Sequence, residues 1–167
     1  YDPKVEVDRQ GVIDAVLRAV ELGLTYFDTA AGYGNGEGEA IFSEALSQIE
    51  NRVFLATKLP PSTQGAGRSV ANNLERLRMD DLDLIQIHGS SYSDEVTPSI
   101  LSEGGLLAEL EALRDEGLVR FNGFTTEDNN AGVYKFIRSG RFDSVQMTYN
   151  LLHQHPAEQT RPFGSMF

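Results

Sequence analysis

A chain of 167 residues, 40% hydrophobic and 23% charged, has the length and composition of one globular domain with a sizeable core. Twenty-five acidic against 14 basic side chains give a formal charge of −11; such a surface repels phosphate backbones and anionic lipid, which makes nucleic acid and membranes poor partners. No apolar run approaches the roughly 20 residues of a spanning helix, the first ten residues lack a secretory apolar stretch, and zero cysteines exclude disulfides and thiolate metal sites, so the chain reads as soluble and cytoplasmic.

Val12, Ile13, Val16, Leu17 and Val20 recur at the spacing of one apolar helical face, which predicts a helix over 9–22 stopped by Gly23. TYFDTA (25–30) then reads as a strand, GEGEAIFSEAL (36–46) as a helix, RVFLATKL (52–59) as a strand and SVANNLERLRM (69–79) as a helix. The alternation continues with strand LDLIQIH (82–88), a helix over 104–117, strand LVRFNGF (118–124), a helix over 130–140 and strand SVQMTYN (144–150). Five strands about 25 to 35 residues apart are the rhythm of βαβ units, in which each helix carries the chain back so that the next strand lies parallel. Periodicity alone leaves open whether such a sheet curls into a barrel or stays open with helices on both faces, and a closed barrel typically takes about 250 residues, more than this chain has. No linker rich in Gly, Pro or Ser divides the sequence, so 1–167 reads as a single domain.

In parallel α/β folds the loops leaving the C-terminal ends of the strands build the site. The first predicted strand ends near Asp28, the second in Lys58, the third in His88 and the fourth at Thr125 and Thr126, while the fifth carries Gln146 and Asn150. Tyr33 follows Asp28 by five residues. Taken singly, Asp28 can cap a turn, Lys58 can be solvated, His88 can be a hydrogen-bonded core histidine and Tyr33 can simply pack its ring. Taken together, an acid, a cation, a phenol and an imidazole on one rim can protonate an oxygen. An ammonium beside a phenol stabilises the phenolate and makes the phenol a stronger acid, Asp28 can hold that ammonium charged, and His88 can hydrogen-bond an oxygen on which negative charge develops. None of these groups delivers a hydride, so reducing power must come from a cofactor.

Two other readings are weaker. The Gly-rich AGYGNGEGE lacks both GK[ST] and the GxGxxG spacing, and Glu37 and Glu39 would repel phosphate; its glycines read as turn formers beside Tyr33. A metallohydrolase built on Asp28 and His88 needs three or four convergent ligands, whereas the remaining histidines, His153 and His155, fall in what reads as an exposed loop.

The stretches FDTAAGYGNGEGEAIFSEAL, FLATKL, SVANNLERLRMDDLDLIQIH, GGLLAELEALRDEGLVRFNGFTTE and FDSVQMTYNLL, in that order, resemble the aldo-keto reductases over most of residues 9–152. The family's catalytic Asp, Tyr, Lys and His fall on Asp28, Tyr33, Lys58 and His88, at intervals of 5, 25 and 30 residues. The resemblance implies a (β/α)₈ TIM barrel, incomplete in this chain. It also implies a metal-free reduction of an aldehyde or ketone with NADPH or NADH. Tyr33 would be the general acid, Lys58 with Asp28 would promote its acidity, and His88 would orient the small-molecule carbonyl substrate. Thr125 and Thr126 stand where the family commonly has Ser and Asn to hold the nicotinamide carboxamide, so a hydroxyl replaces a hydroxyl at the first and an amide is missing at the second. Gln146 matches the other carboxamide ligand. RPFGS (161–165) looks like the seventh strand and its pyrophosphate loop, with Arg161, Gly164 and Ser165 on the cofactor. In this alignment TYFDTA is the second barrel strand, and only ten residues separate YN from RPFGS. The expectation is therefore that residues are missing near 159–161 and beyond 167. The alternative function is a noncatalytic cofactor-binding subunit or sensor that keeps the barrel.

Overall fold

Among the described residues five strands form one sheet in the order β1-β2-β3-β4-β5, every neighbouring pair parallel. They are β1 (Tyr26–Asp28), β2 (Phe54–Leu59), β3 (Leu82–His88), β4 (Val119–Thr126) and β5 (Ser144–Met147), in a computed structural model that describes residues 8–127 and 130–157. The helices are α1 (Arg9–Glu21), α2 (Glu37–Leu46), α3 (Ala66–Leu77), α4 (Val96–Leu101), α5 (Leu106–Asp115) and α6 (Ala131–Ser139). An open doubly wound sheet reverses its strand order at a switch point; this one never does. With right-handed crossovers, an unreversed order puts every helix on the same face, which is the arrangement of a barrel arc.

Register separates the two faces of that arc. Asp28 pairs with Ala56, Ala56 with Leu84, Lys58 with Gln86, and His88 with Thr125, so these residues share the inner face. The alternate positions, among them Phe27, Leu55, Leu59, Ile85, Ile87 and Phe124, pack outward against the helices in one apolar core with Ile13, Ile41, Val70, Leu107 and Phe136. On the inner face, Phe54 of β2 stacks on Phe121 of β4 with centroids 6.1 Å apart, the contact between alternate strands that fills barrel interiors in layers. At the base of the sheet, buried Asp83 accepts the Leu55 amide at 3.0 Å and pairs with Arg52 and Arg120, tying β2, β3 and β4 together.

Local signals set most boundaries. The Asp8 carboxylate accepts the Gly11 amide at 2.9 Å and starts α1, and Gly23 at φ 90 ends its exit turn. Other boundaries come from tertiary contacts. The helix predicted over 69–79 begins at Ala66, whose amide is taken by Glu109 of α5. The short α4 is absent from the periodicity reading because its six residues are too few to print an apolar stripe. The fifth strand stops at Met147 rather than at 150, where the Asn150 carboxamide instead accepts the Leu152 and His153 amides in a tight turn. RPFGS and the suspected break near 159–161 lie outside the described residues.

An aromatic cluster seals α6 to β4. Phe136 is fully buried, and its ring centroid lies 4.6 Å from Tyr92, 5.2 Å from Phe124 and 5.2 Å from Phe142. Phe136→Ala leaves a cavity between helix and sheet, and urea unfolding should read a loss of about 3–5 kcal/mol.

Candidate active site

The loop after β1 is built by backbone reversal. Gly34 (φ 59), Asn35 (φ 56) and Gly36 (φ 93) are consecutive left-handed residues, a run that only glycine and short polar side chains enter readily. The turn brings Tyr33 back over the ends of β1 and β2. Gly38 lets α2 start close behind it, since a Cβ there would lie 3.1 Å from both the Tyr33 Cβ and the Thr29 hydroxyl.

Buried Glu39, in the first turn of α2, fixes this loop to the strand beside it. One carboxylate oxygen accepts the Thr57 hydroxyl at 2.6 Å and the other pairs with Arg76 of α3, which also donates to Asn73. The residue before Lys58 is thereby fastened to the helix that follows Tyr33. Sequence reasoning read Glu39 only as a charge that repels phosphate. The available signal was that position 39 shares a helical face with Phe42 and Leu46.

Lys58 is 2% exposed, yet its ammonium is satisfied: it bonds Asp28 and donates to the Thr29 carbonyl at 2.7 Å. The same nitrogen lies 5.1 Å from the centroid of the Tyr33 ring. The His88 ring meets the Tyr33 ring edge-on, with centroids 5.8 Å apart and planes at 85°. Burial, and secondarily the charge of Lys58, pushes the His88 imidazole below its ordinary pKa of 6.5, with Asp28 opposing.

A pocket of about 460 Å³ opens at this rim, with Tyr33, Lys58 and His88 on one side and Thr125, Thr126 and Gln146 on the other. The structure thus brings six of the ten candidate catalytic and cofactor-binding residues together around one pocket. Asp28 joins them through Lys58 rather than by lining the cavity. Arg161, Gly164 and Ser165 lie outside the described residues. The two threonines have a use that the sequence did not predict. The Thr125 hydroxyl accepts the Gly89 amide at 3.1 Å and donates to the Gly89 carbonyl at 2.8 Å, while Thr126 donates to Ser90 O at 3.2 Å. Both knit the end of β4 to the loop that leaves His88. Among the described residues no group of three or more His, Asp or Glu side chains could hold a metal ion.

Residues 2–165 match the profile of the Aldo/keto reductase family. The chain belongs to this family. It is 28% identical over 164 residues to the uncharacterized oxidoreductase YqkF of Bacillus subtilis (strain 168), covering 90% of this chain and 51% of that protein. It is 27% identical over 179 residues to the NADH-specific methylglyoxal reductase of Escherichia coli (strain K12), covering 94% of this chain and 53% of that protein. Among solved structures, an aldo/keto reductase from Klebsiella pneumoniae in complex with NADP and acetate superimposes with a TM-score of 0.73 at 22% identity, covering 95% of this chain and 53% of that one. The chain spans about half the length of the curated relatives it matches, and its five-stranded arc corresponds to part of the family's (β/α)₈ barrel.

The depressed His88 has a consequence for stability. In the unfolded chain the imidazole takes up a proton near pH 6.5 while the folded one resists it, so stability falls as pH drops from about 6.5 to the folded value and then levels off. Urea unfolding at pH 7.5 and pH 5.5 should show a decline that is smaller in His88→Gln.

Proposed function

We propose that this chain carries the carbonyl-reducing site of a nicotinamide-dependent oxidoreductase, acting on a small aldehyde or ketone with NADPH or NADH. The observation that carries the reading is the buried Asp28–Lys58 pair lying beneath a phenol and an imidazole that share one pocket. Family membership supports it, as do relatives named methylglyoxal reductases.

The pocket suits a nicotinamide ring. Gln146, exposed on the wall in register with Thr125, offers both a donor and an acceptor to a carboxamide. Thr125 and Thr126 each spend their hydroxyl proton on a backbone carbonyl, of Gly89 and of Ser90, so toward a carboxamide either would act as an acceptor. Gln146, with the threonine hydroxyls beside it, is the side chain that would hold the amide. A bound nicotinamide supplies the hydride.

The side chains supply the rest. As the carbonyl oxygen of the substrate gains negative charge, the Tyr33 hydroxyl gives it a proton, and the Lys58 ammonium stabilises the charge left on the phenol oxygen. Asp28 and the Thr29 carbonyl hold that ammonium in place. His88, held in its neutral form near pH 7, donates a hydrogen bond to the substrate oxygen while remaining a poor acid, so the phenol is the proton source.

The complete catalytic unit would include further strands. Tyr26 is 49% and Phe121 38% exposed on the inner face of the arc, an apolar layer that additional barrel strands would cover.

The test is turnover of methylglyoxal with NADPH and with NADH by the full-length protein, alongside fluorescence titration of each cofactor. Tyr33→Phe keeps the ring and removes the proton, so kcat should fall about 10²- to 10⁴-fold with cofactor affinity nearly unchanged. Lys58→Met should be comparably severe, because it leaves Asp28 as an unpaired charge and the phenolate without its counter-ion. Near-normal turnover in Tyr33→Phe would overturn the assignment of the acid. Cofactor binding by the wild type without turnover of any carbonyl would favour the noncatalytic subunit.

A further inference from the structure

We propose that Tyr92 is a positioning residue for His88, its phenol fixing the backbone on which the imidazole is carried; the inference rests on the carbonyl-reducing role proposed for that pocket. Tyr92 lies four residues beyond His88, is 1% exposed and takes no part in the chemistry set out above. Its hydroxyl stands 3.0 Å from the Ile87 carbonyl and 2.9 Å from the Thr125 carbonyl. One phenolic proton is thus shared between the ends of two neighbouring strands. The first carbonyl immediately precedes His88, and the second belongs to the residue paired with His88 across the sheet.

The far side of His88 is held as well. The Gly89 amide and carbonyl both bond the Thr125 hydroxyl, so the histidine sits between two attachments that refer to the same residue of β4. Glycine is required at 89, because a Cβ would lie 2.6 Å from Tyr92 Cζ and 2.7 Å from its hydroxyl oxygen. Tyr92 is itself anchored from α6. Its carbonyl accepts from the Asn130 side chain at 2.9 Å, and Gly132 makes room for that contact, since a Cβ there would come within 2.5 Å of the Tyr92 carbonyl oxygen.

Packing does not account for the hydroxyl. The ring fills its place among Phe124 and Phe136, which a phenylalanine would fill equally, whereas burying a hydroxyl is unfavourable unless it is bonded. Burial also drives the phenol far above its usual pKa, so the group stays protonated and acts as a donor. It is a fixed staple and not a second acid.

The experiment separates positioning from packing. Tyr92→Phe removes the staple and keeps the ring; Phe136→Leu loosens the same aromatic cluster without touching a hydrogen bond to the His88 segment. The readouts are NMR titration of His88 in the full-length protein without cofactor, and steady-state carbonyl reduction. The groups facing His88, namely Asp28 from β1, Tyr33 from the loop after it, Lys58 from β2 and Glu127 on the pocket wall beyond β4, are the same in both variants. With the staple gone, water reaches the imidazole and its titration should move up toward the ordinary histidine value. The misplaced donor should then lower kcat about tenfold with the cofactor KM unchanged. Phe136→Leu should lower the unfolding midpoint and leave the His88 titration where it was. A wild-type titration and kcat in Tyr92→Phe overturns the proposal, as does an equal titration shift in Phe136→Leu. If the titration shifts only in Tyr92→Phe while the wild type reduces no carbonyl, the positioning role stands and the functional reading falls.

Discussion

A lysine ammonium taken out of water must be given its hydrogen bonds and its counter-charge by the protein, because a buried unpaired charge costs several kcal/mol. Lys58 receives both where one short strand ends, from the carboxylate of Asp28 and the carbonyl of Thr29 just beyond it. That requirement fixes much of the rim. The parallel register that pairs Asp28 with Ala56 puts the carboxylate on the inner face one rung below Lys58, and a one-residue slip would turn it outward among the helices. With the cation fixed, the phenol above it gains an electrostatic partner, and the imidazole beside it gains a like-charge neighbour that discourages protonation.

The sheet supplies this geometry cheaply because its strand order is sequential. Every residue aimed at the pocket leaves the C-terminal end of a strand, and alternation decides which side chain faces it. Lys58, Gln86 and Thr125 point inward, while Thr57, Ile87 and Phe124 point to the helices. The outward set is where the supports attach: Thr57 to Glu39, and Phe124 to the Tyr92 ring.

Much of this was legible before any coordinates. Strand LDLIQIH has the expected limits, since a run of that composition bounded by polar residues has few other uses. Asp28, Tyr33, Lys58 and His88 were readable because strand ends can be located from periodicity and the sequence supplies the residue types. The contacts that cross between elements were not legible. That Glu109 caps α3, that Glu39 reaches Thr57, or that Tyr92 reaches across to Thr125 depends on distances between elements, on which local spacing carries no information. The threonines at 125 and 126 illustrate the difference. Their place on the pocket wall followed from position, but the spending of their hydroxyls on Gly89 and Ser90 followed from a loop conformation that the sequence does not print.

Buried polar groups are retained where something must be held still, and their distribution in this chain is uneven. Asp83 serves the base of the sheet. Glu39, Lys58 and Tyr92 each bond a group one residue from Lys58, Asp28 or His88 respectively. An apolar core would give equal or greater stability at those positions, since replacing buried charge by well-packed hydrocarbon is often neutral or favourable. What hydrocarbon lacks is direction. A carboxylate between a hydroxyl and a guanidinium, or a phenol between two carbonyls, has one low-energy placement. Such fixed placement is what a site needs if its donors are to meet a developing charge without reorganising. The cost in desolvation is therefore accepted where a group must be held in place, at the rim and at Asp83, while the rest of the contact between strands and helices is made by apolar side chains.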